Sequence, residues 1–177
     1  MQEEFKREWP KIKHLKRVEI HCNSFSISEL KRLSVESLKQ KENSQIMRIF
    51  SIKDPNVDVI YICPYTLTNE VYKYYLKILE LVEIEDSTSR FHVVVPENYN
   101  IFKKHISLAQ SMLYSPKALR KVLELIEDKQ AYIVPGKVGA QDIKLSIALG
   151  TPILCGEPDL TTGNIIHSTK SGAKRIF

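Results

Sequence analysis

The stretch Pro135-Gly136-Lys137-Val138-Gly139 follows the apolar run Gln130-Ala131-Tyr132-Ile133-Val134 and precedes a helical pattern that starts at Gln141. A strand, a glycine turn with a lysine and a helix N-terminus can together cradle a phosphate, because backbone N–H groups and the helix dipole face the anion. The pattern is not that of a P-loop. Ala131 occupies the first glycine position, and Val138 replaces the Ser/Thr that would hold magnesium. Gly136-Lys137-Val138-Gly139 is also a GXXG string, but the RNA-binding form of that string joins two helices rather than a strand to a helix. The stretch therefore reads as a tight βα turn. Gly136, Lys137 and Gly139 are the residues that would hold a phosphate-bearing cofactor, although no resident cofactor is expected.

Other chemistry-bearing residues are sparser. Cys63 and Cys155 each end an apolar run, but a nucleophilic thiol needs a base and a lowered pKa, and the sequence shows neither. They read as small core residues. His14, His21, His92, His105 and His167 show no H-x-x-x-H pairing, and the cysteines form no C-x-x-C, so no metal site is expected. His92 lies inside an apolar run and reads as a core residue. Glu157 and Asp159 form a close carboxylate pair beside a strand end. They could hold a ribose hydroxyl or magnesium, or simply be solvated.

The chain has 177 residues, 43% of them hydrophobic and 27% charged, which suits one soluble domain with its own core. Its three cysteines, Cys22, Cys63 and Cys155, are distant and odd in number. That pattern predicts reduced thiols and a cytoplasmic location, with the nucleus as the alternative. No apolar run is long enough to span a membrane, and the charged start is not a secretory signal. The net charge of +5 is uneven: Lys6, Arg7, Lys11, Lys13, Lys16 and Arg17 crowd one end, and Lys170, Lys174 and Arg175 the other. Such ends suit either solvent or an acidic partner such as RNA.

The elements that would position these residues follow from the hydrophobic pattern. Residues 1–15 read as a basic lead-in in which Pro10 breaks any helix. Val18, Ile20 and Cys22 alternate like a strand. Ser26-Ile27-Ser28-Glu29 has the capping-box form, and Leu30, Leu33 and Leu38 mark a helix to about Gln40. A second strand is expected over residues 45–50. From residue 57 the apolar runs 57–63, 91–95, 130–134 and 152–155 have no polar face, as in a parallel sheet covered on both sides. Between them, helices are expected over residues 68–83, 118–126 and 141–149. Val71, Tyr75, Ile78, Leu79 and Val82 supply the core face of the first. Ser115-Pro116 opens the second, and Gly150 closes the third. The expected fold is α/β, Rossmann-like, with a mostly parallel sheet and helices on both faces.

Five segments occur in an order that resembles the IQ motif-containing protein H family: Cys63-Pro64-Tyr65-Thr66-Leu67, Tyr114-Ser115-Pro116-Lys117-Ala118-Leu119, Ala131-Tyr132-Ile133-Val134-Pro135-Gly136, Thr151-Pro152-Ile153-Leu154-Cys155-Gly156-Glu157-Pro158, and residues 168–177. The resemblance implies a pre-ATP-grasp domain over residues 16–166. It further implies that residues 167–177 begin a linker helix towards an ATP-grasp-like module. The catalytic residues of such a module would lie beyond Phe177, so the expectation is a non-catalytic fragment or short isoform, linked through the family to spermatogenesis. No Ile-Gln-x-x-x-Arg-Gly calmodulin-binding string occurs. The alternatives are an interaction module for calmodulin, RNA or RNA-binding proteins, and a weak nucleotide binder. A calmodulin target would have to use Lys117, Arg120 and Lys121 beside Leu119, Val122 and Leu123, where Glu124 and Glu127 dilute the charge.

Overall fold

The computed structural model describes residues 1–25, 28–84, 86–102 and 106–155. Four strands, β1 (Arg17–Phe25), β2 (Val57–Ile62), β3 (Phe91–Val94) and β4 (Gln130–Lys137), form one sheet in the order β3-β2-β1-β4. All three pairings are parallel. The architecture is the expected α/β sheet with helices on both faces.

One face is built from Val18, Ile20 and Cys22 of β1, with Ile60 and Ile62 of β2 and Ile133 of β4. Against it pack α6 (Leu108–Leu113), α7 (Pro116–Ile126) and α8 (Ala140–Leu149) through Met112, Val122 and Leu145. The opposite face presents Val57, Val59 and Tyr61 to Leu79 of α4 (Asn69–Leu81) and to a 3-10 helix over Ser44–Lys53. Further along that face, α1 (Gln2–Ile12) sets Phe5, Trp9 and Ile12 against Tyr132 of β4. The Phe5 and Trp9 rings lie 5.5 and 5.4 Å from the Tyr132 ring. Short helices α2 (Glu29–Ser34), α3 (Leu38–Asn43) and α5 (Ser87–Arg90) complete the described elements.

Several expectations need correction. Helix α1 runs through Pro10 instead of breaking there. The proline removes one amide late in the helix, and the aromatic contacts of Phe5 and Trp9 with Tyr132 outweigh that loss. The expected strand at residues 45–50 is part of the 3-10 helix, whose inward residues are Ile46, Ile49 and Ile52. Their spacing of three matches the three residues per turn of that helix. The helix expected from Leu30 to Gln40 is two helices, separated at residues 35–37, where Ser37 is left-handed. Leu30 and Leu33 consequently face solvent. Val71 of α4 and Val82, which follows the helix, are also exposed, and Leu79 anchors the helix with Tyr72 and Leu76 beside it. Strand β4 extends through Gly136 and Lys137, beyond the expected end at Val134. The run 152–155 makes only a single bridge, Ile133 to Ile153, on the far side of β4. Helix α6 had no counterpart in the hydrophobic pattern.

Local chemistry accounts for the helix ends. Thr68 Oγ1 accepts the Val71 N–H at the start of α4, and Gly150 closes α8 in the left-handed conformation. Ser115 precedes α7 as expected but gives no side-chain cap. Glu97, from the loop after β3, performs that role by accepting the Lys117 and Ala118 N–H groups at 2.9 and 3.0 Å. The Ser26–Glu29 capping box rests on Ser26 and Ile27, which lie outside the described residues, as do Glu157, Asp159, His105, His167 and the 167–177 segment. No helix among the described residues is long and apolar enough to cross a membrane.

Candidate functional site

The order β3-β2-β1-β4 reverses direction between β1 and β4, and the crevice at the carboxyl ends of two such strands is where open α/β sheets bind ligands. Here those ends are Cys22–Phe25 of β1 and Pro135–Lys137 of β4, in register at Cys22–Pro135 and Phe25–Lys137 with a bulge between. The hydrophobic pattern pointed to four other strand ends and passed over that of β1.

The three candidate anion-binding residues are brought to this crevice, each in a different setting. Gly136 lies in β4 against the backbone of β1, where a Cβ would fall 2.6 Å from the Ser24 carbonyl oxygen. Its glycine is required by the close approach of two strands. Lys137 is the exposed last residue of β4, and the next residue, Val138, is buried in the core. Gly139 is the N-cap of α8, and its N–H donates to Asp142 Oδ2 at 2.9 Å. One of the amides at this helix N-terminus is thus engaged by a carboxylate of the same helix.

The crevice is lined with acid. Asp142 of α8 and Glu42 of α3 are both buried and near enough to influence each other. Burial, reinforced by Asp142, pushes the Glu42 carboxyl up to about 7, against the opposing pull of the Phe25 N–H, Arg32 and Lys39. Burial also pushes the Cys22 thiol well up, with Asp142 and Glu42 adding to the effect. Cys63 at the end of β2 is pushed up to about 11 by burial. Neither thiol is poised as a nucleophile at neutral pH, since the thiolate is the reactive form. Cys155 is partly buried, and its thiol is also raised. Among the described residues no group of three or more His, Cys, Asp or Glu could hold a metal ion.

A second polar feature, absent from the sequence reading, runs along β1 on the α1 and α4 face. Arg17 donates to Asp54 at 2.8 Å and to the Tyr132 hydroxyl at 3.3 Å, and that hydroxyl donates to Glu19 Oε1 at 2.6 Å. Glu19 Oε2 lies 3.0 Å from His21 Nε2, and Ser51 reaches the same ring nitrogen at 3.4 Å. Burial opposes ionisation of Glu19, but hydrogen bonds from His21, Tyr132 and Ser51 outweigh it and hold the carboxyl at about 2. Towards the carboxyl end, Asn23 donates to the Tyr61 hydroxyl, which donates to Asn43 Oδ1 at 3.0 Å. Asn43 in turn donates to the Tyr65 hydroxyl at 2.9 Å. The seam has one charged end and one neutral end, and within it His21 Nδ1 and Asn23 Oδ1 are buried without a hydrogen-bond partner. Its signal in the sequence was the polar set Arg17, Glu19, His21 and Asn23 alternating with Val18, Ile20 and Cys22.

Of the residues considered for calmodulin, Val122 of α7 is buried against the sheet and Leu119 is half-buried, whereas Lys117, Arg120, Lys121 and Leu123 are exposed. The basic residues of α1 are partly neutralised, with Arg7 and Lys11 both paired to Glu8.

No family model and no solved structure matches the chain. Among curated proteins it is 36% identical, over 180 aligned residues, to IQ motif-containing protein H of Danio rerio. The match covers 96% of this chain but spans only 17% of that relative's length. An identity of this level across nearly all of β1–α8 accords with the order of the segments from Cys63 onwards, and the chain belongs to the IQ motif-containing protein H family.

Proposed function

We propose that this chain is a non-catalytic α/β module of an IQ motif-containing protein H polypeptide, and that its carboxyl-end crevice does not bind nucleotide phosphates. The observation that carries the reading is the Gly139 N–H held by Asp142 Oδ2 at 2.9 Å. A phosphate would have to displace that carboxylate and then sit beside it and Glu42, both buried. The Asp142 carboxylate would repel the phosphate in a poorly solvated site, and Glu42, held up to about 7, offers no cation to offset it, so the arrangement disfavours an anion. Gly136 adds support, because its lack of a side chain serves strand packing against Ser24. The raised thiols of Cys22 and Cys63 argue in the same direction against nucleophilic catalysis.

The small share of the relative covered by this chain supports a modular role within a longer protein. By the family resemblance, its neighbour would be an ATP-grasp-like region and its setting sperm development; the odd, distant cysteines suit a cytoplasmic location, with the nucleus as the alternative. Calorimetry with ATP and magnesium tests the central point. The expected result is no saturable heat up to millimolar nucleotide. Micromolar binding that Lys137→Ala weakens would overturn the reading.

A further inference from the structure

Helix α4 carries more apolar surface than the sheet covers. Tyr72, Leu76 and Leu79 hold it to the core, where Leu79 is fully buried and the Tyr72 ring stacks on Phe91 at 5.9 Å. A second apolar row lies on the outer side of the helix: Val71, Tyr74, Ile78 and Leu81, with Val82 just past the helix end. Ile78 is half-buried, and Val71, Tyr74, Leu81 and Val82 are 40, 63, 72 and 49% exposed. No other helix among the described residues exposes more than two large apolar side chains. Apolar residues exposed singly are ordinary, whereas a contiguous row marks a docking surface.

The spacing selects the kind of partner. Val71, Tyr74, Ile78 and Leu81 follow one another at intervals of three, four and three, the a and d positions of two heptads, through which helices pair side by side. Two heptads are too short to hold an isolated helix, but here the inward row already does so. The g positions of this register carry opposite charges, Glu70 and Lys77, while the e positions, Tyr75 and Val82, carry none. In a parallel pair g faces e, and the two charges would find no charged partner. An antiparallel copy reverses the order along the seam, so Glu70 of each helix comes opposite Lys77 of the other, as a two-fold interface requires. Lys77 already reaches Glu80 at 3.1 Å, but both groups are exposed and such a pair holds its members weakly.

We infer that the outer row of α4 is a self-association surface, on which a second copy of this chain lays its own α4 antiparallel about a two-fold axis. Val71, Tyr74, Ile78 and Leu81 form the seam, and two Glu70–Lys77 pairs flank it. The row offers on the order of 400 Å² of apolar surface per copy, below the roughly 800 Å² of a standard interface, so the dimer is weak, with a dissociation constant in the tens of micromolar. The assignment does not depend on the fate of phosphate at Gly139, which lies on α8.

Sedimentation equilibrium of the chain between about 1 and 300 μM is the test. The wild-type chain is expected to pass from monomer to dimer, with no larger species. Leu81→Glu should weaken the dimer about tenfold or more while leaving the urea unfolding midpoint unchanged, because the side chain is exposed. Glu70→Lys and Lys77→Glu should each weaken it about threefold or more by setting like charges together, and the double variant, which restores opposite charges, should recover most of the wild-type affinity. A chain that stays monomeric throughout would mean that something other than a second copy covers the row, and would overturn the inference. So would a dimer indifferent to Leu81→Glu, or a double charge variant that associates no better than either single one.

Discussion

Replacing Glu19 by Gln should remove a specific part of the acid sensitivity of this fold. Glu19 is 9% exposed, and its carboxyl sits at about 2 rather than the ordinary 4.5. The groups that face it are the Tyr132 hydroxyl at 2.6 Å, His21 Nε2 at 3.0 Å and Ser51, with Arg17 acting through Tyr132. A folded-state pKa below the unfolded value contributes stability that is complete above about 4.5 and is lost as pH falls through about 2. At 1.36 kcal/mol per tenfold, the difference amounts to about 3 kcal/mol. Glutamine keeps an oxygen for the Tyr132 hydroxyl and offers an N–H to His21, so the seam stays hydrogen-bonded while the titration disappears. Urea unfolding at pH 5, 4, 3 and 2 measures the effect, because the other carboxylates titrate alike in both proteins and cancel in the comparison. The wild-type chain should lose about 3 kcal/mol more than Glu19→Gln between pH 5 and pH 2. Parallel stability curves for the two proteins would refute the argument.

Gly136→Ala should destabilise by about 1–3 kcal/mol, because its Cβ would lie 2.6 Å from the Ser24 oxygen and backbone cannot move aside as a side-chain tip can. A fall in urea midpoint measures it, and an unchanged midpoint would mean that β1 and β4 can separate at no cost. Glu97→Ala removes the acceptor for two α7 amides and should cost about 1 kcal/mol in the same assay. In the folded protein a disulfide reagent at pH 8 should reach Cys155 first, with Cys22 and Cys63 reacting only at the rate of unfolding. Rapid labelling of Cys63 would contradict the burial assigned to the end of β2.

The parallel sheet was legible because β2, β3 and β4 are nearly continuous apolar runs, which only a doubly covered sheet can use. Strand β1 was harder. Its alternation suggests one wet face, yet Arg17, Glu19 and His21 are buried by partners on β4 and the 3-10 helix. Nothing local announces partners 113 residues away, as Tyr132 is from Glu19. The 3-10 helix did leave a trace, the three-residue spacing of Ile46, Ile49 and Ile52, which the alternating reading of residues 45–50 obscured. The Gly136–Gly139 turn shows the limit for a site. Its composition suits a phosphate, and only the placement of Asp142 on the Gly139 amide shows that the amide is taken. Asp142 three residues after the cap was a readable sign of that contact, whereas the approach of Glu42 from α3 was not.

The Gly139 amide itself offers the most direct test of the claim that this crevice is closed to phosphate. In a two-dimensional amide NMR titration with ATP and magnesium, its resonance should hold its position up to millimolar nucleotide, and Asp142→Asn should not create saturable binding while Glu42 remains. A Gly139 signal that shifts together with Lys137 and saturates at micromolar ATP would show that the Asp142 carboxylate yields to phosphate, and would contradict the account.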